Sequence, residues 1–267
     1  MGNAHIDPVA FTIGPLVVRW YGLAMAASIL VGIMYLINKG RTRGLKEEQL
    51  LTMALLTVVG GVVGARLVFV AANYPSWFLE NPVEVLRVDH GGLAWHGGLA
   101  GGVLTALWYL RYRIRVSFNL VADLCVPGIA LGYTLIRFAN IVNQENIGRL
   151  TQWDFGRWPA QLIAACIAIF MLIRFFYLEN KPYPVGYQFW SFVFYHQILR
   201  GGVEETIREM PIVIPLFVSH EWGLGALTMV QVTTPPILLF VWWILRYRLE
   251  PPLNTGKSKK KISRKEK

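Results

Sequence analysis

Arg19, Arg66, Arg137 and Arg200 fall within, or at the outer edges of, long apolar runs. An arginine at mid-bilayer costs about 2.5–3.5 kcal/mol even on the lenient insertion scale. One such residue can snorkel to the headgroups and do nothing more. Four on the same outward half point to a cationic pocket near the outer leaflet. The anion at hand there is a phospholipid phosphate, which the planar guanidinium fork holds through two parallel hydrogen bonds.

Three polar stretches accompany these arginines. HGGLAWHGGLAGG, residues 90–102, places His96 among closely spaced glycines. The glycines suit tight helix packing, and the imidazole suits proton exchange near neutral pH. IRFANIVNQENIGR, residues 136–149, carries Arg137, Asn140 and Asn143 at intervals of three, followed by Glu145, Gly148 and Arg149. On a continuing helix the first three share one flank. FYHQILRGGVEETIR, residues 194–208, sets Arg200 and Glu204 four apart, ready to pair along a helix. Gly201 and Gly202 between them favour a break. Tyr21, in the triplet Trp20–Tyr21–Gly22, reads on its own as an aromatic-belt residue. No P-loop, HExxH, CxxC or dinucleotide-binding glycine pattern is present, and Asp89 beside His90 is too little for a metal site. No metal and no other cofactor is expected.

These groups need elements to hold them. Of 267 residues, 54% are hydrophobic and 16% charged, with a mean hydropathy of +0.43. A soluble domain is about 25% charged. The balance excludes a soluble enzyme, a disordered chain and a coiled coil. Crossing the hydrocarbon core takes roughly 20 residues. The apolar runs then give an all-α polytopic membrane bundle of about seven transmembrane helices, at 18–37, 51–72, 92–110, 119–141, 159–178, 185–199 and 224–247. The sixth is short and polar, and topology requires it. Lys39, Arg41, Arg43, Lys46, Arg111, Arg113, Arg115, Arg174, Lys181 and nine basic residues from Arg246 onward fall on one side. Only Arg87, Arg149, Arg157 and Arg208 fall on the other. The positive-inside rule therefore puts the N-terminus outside and the C-terminus in the cytoplasm.

The same distribution reads the net charge of +10 as membrane orientation, with no nucleic-acid partner. Residues 1–249 are expected to form a single transmembrane domain, the one that carries the chemistry, and 250–267 a basic, disordered cytoplasmic tail. MPIVIPLFV, residues 210–218, is too short to cross, and Pro211 and Pro215 oppose a regular helix. It lies either in the interface or against the protein. Cys125 and Cys166 sit in apolar stretches and imply no disulfide framework.

The polar stretches resemble those of bacterial prolipoprotein diacylglyceryl transferases. That family's signature runs Gly-Arg-x-Gly/Ala-Asn-Phe-x-Asn-x-Glu and then Gly-Arg. Arg137, Asn140, Asn143, Glu145, Gly148 and Arg149 are similar to it. His96–Gly97–Gly98–Leu99, Trp20–Tyr21–Gly22, Gly64–Ala65–Arg66, Asp123 with Pro127, and Arg200 with Glu204 resemble further family elements, in the family's order. Trp158–Pro159–Ala160–Gln161–Leu162 is similar to a fifth-span His-Pro-Ser-Gln-Leu motif. Ile136 and Ile141 replace a glycine and a phenylalanine, while Trp158, Ile163 and Ala164 replace a histidine, a tyrosine and a glutamate. The basic residue after Glu204 arrives one place late, at Arg208.

The resemblance implies a transferase of the bacterial inner membrane that faces the outer side. Its partners are phosphatidylglycerol, membrane lipids and lipoprotein precursors bearing a lipobox cysteine. Arg137 and Arg200 are expected to bind the phosphate and stabilise departing glycerol phosphate. His96 is expected to take the thiol proton, with water beside several arginines as the alternative acceptor. Tyr21, Arg66, Asn140, Asn143, Glu145, Gly148 and Glu204 are expected to bind or orient the donor. A small-anion transporter is the rival reading. The lack of internal repeats and the outward bias of the charges count against it.

Overall fold

The computed structural model describes residues 7–14, 16–73, 75–87, 91–151, 156–219 and 223–252. The Asp89–His90 pair and most of the expected tail, from 253 on, lie outside the described residues. Helix dominates. The order is strands β1 (Val9–Ile13) and β2 (Leu16–Arg19), then helices α1 (Trp20–Thr42), α2 (Glu47–Ala72), α3 (Pro75–Glu80) and α4 (Trp95–Tyr109). There follow α5 (Phe118–Val142), α6 (Ala160–Leu178), α7 (Tyr187–Gln197), α8 (Glu205–Ile207), strands β3 (Ile212–Ser219) and β4 (Gly223–Thr228), and α9 (Met229–Tyr247). A π turn, Leu110–Ile114, extends α4, and a second, Ile198–Glu204, links α7 to α8.

Among the described residues, five helices are long and apolar enough to cross a membrane: α1, α2, α5, α6 and α9. Their outward faces carry Leu30, Met34, Val59, Leu67, Phe170 and Leu239, all exposed. A soluble protein rarely leaves apolar surface of that extent in contact with water. The expected third and sixth spans coincide with α4 and α7, which are helical but shorter.

Two short hairpins accompany the helices. β1 pairs antiparallel with β2, turning at Gly14 (φ 57), so Arg19 ends a strand and the first helix begins only at Trp20. β3 pairs antiparallel with β4, from Ile212 against Thr228 to Ser219 against Gly223. The expected seventh span therefore starts late. Its first residues are strand, and α9 opens at a Thr228 capping box, in which Thr228 and Gln231 exchange side-chain and backbone hydrogen bonds. The β-branched residues and prolines of MPIVIPLFV suit an edge strand better than a helix.

The chain divides into two compact units. One contains residues 33–121. In it α2 and α4 meet through glycines. A methyl group on Gly64 would overlap the carbonyl oxygen of Gly97, and one on Gly97 that of Gly64. The glycines around His96 thus bring two backbones together, as small residues do between membrane helices.

The other unit contains the residues up to Gly32 and those from Ala122 on. Its core includes Val126, Ala130, Ala164, Ala168, Met171, Phe192 and Val241. Asp123 of α5, buried, reaches across to the start of α7. Its carboxylate accepts hydrogen bonds from the backbone N–H groups of Gly186 (2.7 Å) and Phe189 (2.8 Å). A residue far off in sequence thereby caps α7, whose N-cap, Gly186, has φ 94.

Candidate active site

The polar centre of the second unit is built around one carboxylate. Glu204, 1% exposed, ends the π turn that follows α7. Arg137, in the penultimate turn of α5, brings Nη2 to 3.0 Å from Glu204 Oε1. Arg200 Nε lies 3.5 Å from the same oxygen and Arg208 Nη1 3.6 Å. Glu205, 0% exposed, receives Nη1 of Arg200. Three guanidiniums against two carboxylates leave one formal positive charge. Buried ion pairs hold only when each charge is offset, and here every guanidinium faces a carboxylate, while Glu205 Oε1, Arg137 Nε and Arg208 Nε make no hydrogen bond among the described residues.

Tyr133 completes the cluster. It lies one turn before Arg137 on the same face of α5. Its hydroxyl donates to Glu204 Oε2 at 2.5 Å and accepts from Arg137 Nη2 at 3.0 Å. Its ring lies 4.5 Å from the Arg137 guanidinium carbon, a cation–π contact. His196, one turn before Arg200, packs edge-on to Tyr133 at 4.9 Å and parallel to Phe192 at 5.9 Å.

The backbone explains why Arg200 meets two adjacent glutamates. The break expected at Gly201–Gly202 does not occur; the helix widens instead. The N–H of Glu205 donates to the carbonyl of Arg200, five residues back. A π turn of this kind is commonest at functional sites.

Beyond Val142 the chain turns sharply, with Gln144 (φ 54) and Asn146 (φ 59) in left-handed conformations. The N–H of Glu145 donates to the Asn140 carbonyl at 2.9 Å. The Gln161 amide, from α6, donates to the carbonyls of both Asn140 (3.1 Å) and Glu145 (2.6 Å). Gln161, with Pro159 and Leu162, is a member of the fifth-span motif that this chain retains, and here it fastens the turn. Asn140 is buried, Asn143 half-buried and Glu145 exposed, with Asn143 Nδ2 3.5 Å from Glu145 Oε1. Asn143 Oδ1 and Arg137 Nε are buried and make no hydrogen bond within the described residues. They offer one acceptor and one donor to an incoming polar group.

Gly148 joins this turn to the arginine cluster. It bridges antiparallel to Arg208, flanked by bonds from Arg149 N to Ile207 O (2.9 Å) and from Glu209 N to Ile147 O (3.0 Å). A Cβ at Gly148 would overlap the carbonyl oxygen of Trp158. Tyr21, half-buried in the first turn of α1, interacts electrostatically with Glu145 and Arg137.

Of the four arginines expected to share a pocket, Arg137 and Arg200 converge, and Arg208 joins them. Arg19 is exposed at the end of β2. Arg66 belongs to the other unit and is committed to main chain there. Its Nε donates to Val85 O (2.9 Å), its Nη1 to Gly91 O (2.9 Å) and Gly92 O (3.1 Å), and its Nη2 to Glu84 O. Phe69 and Phe78 each lie 5.5 Å from its guanidinium carbon. With all three nitrogens donating to carbonyls, Arg66 fastens Glu84, Val85, Gly91 and Gly92 to α2. His96 is also in that unit, exposed in the first turn of α4.

Residues 8–247 match the family model described as prolipoprotein diacylglyceryl transferase. The chain belongs to the prolipoprotein diacylglyceryl transferase family. A relative from Thermoanaerobacter sp. (strain X514) is 47% identical over 247 residues, covering 92% of this chain and 96% of the relative. One from Caldanaerobacter subterraneus subsp. tengcongensis is 48% identical over 252 residues, covering 94% and 98%. One from Thermus thermophilus is 32% identical over 269 residues, covering 88% and 95%. All three carry the name phosphatidylglycerol–prolipoprotein diacylglyceryl transferase.

Set on this member of the diacylglyceryl transferases, the family pattern omits several residues of the cluster. Tyr133 was detectable only as the residue one turn from Arg137. Arg208 is displaced by one place from the family pattern, yet it stands four residues on from Glu204 and reaches its carboxylate. Glu205 and His196 carried no signal, because their neighbours depend on a helix widening that side-chain spacing does not encode.

Proposed function

We propose that this chain transfers the diacylglyceryl group of phosphatidylglycerol to the lipobox cysteine of lipoprotein precursors. The cysteine sulfur forms a carbon–sulfur bond to the glycerol carbon, the carbon–oxygen bond to phosphate breaks, and glycerol phosphate leaves with the electron pair. The thiol proton passes to a base. The observation that carries this reading is the convergence of Arg137 and Arg200 with Arg208 on two carboxylates, with one positive charge in excess. A phosphodiester carries one negative charge, and fixed cations stabilise what develops as it departs.

In this reading Arg137 and Arg200 grip the phosphate. Asn140 and Asn143 bond its oxygens or the glycerol hydroxyls, and Tyr21 and Glu145 orient the headgroup. Glu204 holds the arginines in register, Gly148 fastens the polar turn to them, and Arg66 orders the outer segment of its own unit. His96 takes the thiol proton, since the nucleophile must be a thiolate. The leaving group is built into the lipid, so the step calls for no metal or nucleotide.

The catalytic domain covers residues 1–249, and the basic tail 250–267 sits at the anionic cytoplasmic leaflet. α4 with its π turn, and α7 with the π turn and α8, each run about 20 residues, enough for about 30 Å of helix. They supply the third and sixth of seven spans, with the N-terminus outside, the C-terminus in the cytoplasm and the site toward the outer face of the inner membrane. The test is direct. Purified protein, phosphatidylglycerol and a lipobox peptide should give a peptide heavier by one diacylglyceryl group, seen by mass spectrometry together with released glycerol phosphate. A peptide of unchanged mass under conditions in which a relative works would refute the reading.

A further inference from the structure

Glu205 follows directly on Glu204, the residue that matches the glutamate of the family's Arg-x-x-x-Glu element. It is fully buried, and its carboxylate takes Nη1 of Arg200. In an α-helix a residue five places on points well away from its predecessor, at 3.6 residues per turn. Here the Glu205 N–H bonds to the Arg200 carbonyl, and the two side chains meet on one face. Glu204 could not hold Arg200 by itself. Its Oε1 already serves Arg137 at 3.0 Å and Arg208 at 3.6 Å, and it stands 3.5 Å from Arg200 Nε. Three cations drawn to one oxygen repel one another, and a second buried carboxylate offsets that repulsion.

We propose that Glu205 is a positioning residue for the transfer. It fixes the Nη1 edge of Arg200, Glu204 steadies Nε, and Nη2 is left to face the phosphate. The proposal rests on the phosphate-binding role given to Arg200 above. Glu205 touches neither substrate and acts through Arg200.

The experiment is a double-mutant cycle on the full chain in phosphatidylglycerol nanodiscs with a lipobox peptide, measuring kcat and the KM for phosphatidylglycerol. Glu205→Gln should lower kcat about tenfold or more while KM changes little or falls, because the cluster gains net positive charge. Arg200→Gln should lower kcat further. The double variant should be no slower than Arg200→Gln alone, since Glu205 then has nothing left to position. A purely structural Glu205 would instead lower kcat by the same factor in both backgrounds, and that additive result overturns the proposal. So does wild-type kinetics in Glu205→Gln when Arg200→Gln is impaired; the phosphate reading then survives and only the role of Glu205 fails. Full activity in Arg200→Gln sinks the phosphate reading and the proposal with it. If Glu205→Gln does not accumulate in membranes, Glu205→Asp decides. It keeps the charge but withdraws it by one methylene, so a lowered kcat at unchanged KM supports the proposal and an unchanged kcat overturns it.

Discussion

Arg137 and Glu204 are 67 residues apart in the chain, and the arginine's Nη2 reaches both carboxylate oxygens, Oε1 at 3.0 Å and Oε2 at 3.4 Å. That pair ties the end of α5 to the turn after α7. Removing the carboxylate charge leaves three guanidiniums facing one remaining glutamate. Breaking a buried pair from one side typically costs about 3–5 kcal/mol. Glu204→Gln should therefore lower the thermal midpoint clearly in a detergent unfolding assay and abolish transfer. An unchanged midpoint would show that Glu204 does not organise the cluster.

Arg137→Lys and Arg200→Lys keep the charge and lose the planar fork. Each lost charge-assisted contact to a developing oxyanion is worth about 10²–10³ in kcat. Both variants should accumulate normally and transfer diacylglyceryl at a small fraction of the normal rate, read from the mass-shifted peptide. Near-normal transfer by both would contradict a bidentate phosphate grip.

Gly148→Ala places a methyl group, fixed rigidly to its Cα, on the main-chain carbonyl oxygen of Trp158, so neither side yields without moving backbone. The bridge to Arg208 should open and transfer should be lost, with a lowered midpoint. Gly22→Ala provides the comparison. Its new methyl group meets nothing, and it should keep activity within about twofold.

Asp123→Ala removes the carboxylate that caps α7 through Gly186 and Phe189. Two backbone donors are left without it, at about 1–3 kcal/mol for a buried unsatisfied group. The variant should unfold at lower temperature, yet retain the normal KM for phosphatidylglycerol at temperatures where it is folded. A raised KM with unchanged stability would move Asp123 from scaffold to substrate contact.

His96→Gln tests the thiol base. With His96 as proton acceptor, kcat falls by about 10²–10⁴. A full rate would remove His96 from the reaction and leave water as the acceptor.

What the sequence determined by itself is local and one-dimensional. Apolar runs long enough to cross a bilayer declared themselves at α1, α2, α5, α6 and α9, because uninterrupted apolar sequence has few other stable environments. The polar stretches containing Arg137, Asn140, Gly148, Arg200 and Glu204 stood out against that background, in an order that resembles the family's. The tertiary structure decided which of them meet. Arg66 resembles Arg137 in sequence context, yet it is drawn to the carbonyls of Glu84, Val85, Gly91 and Gly92, and nothing in its neighbours announces those carbonyls. The hairpin of Ile212–Ser219 with Gly223–Thr228 exists because two separated segments find each other's backbone groups, a long-range event that apolar composition alone reads as helix. Gly201 and Gly202 permit a break or a widening equally well. Packing chose the widening, and one extra residue in that turn moved Glu205 onto the face of Arg200.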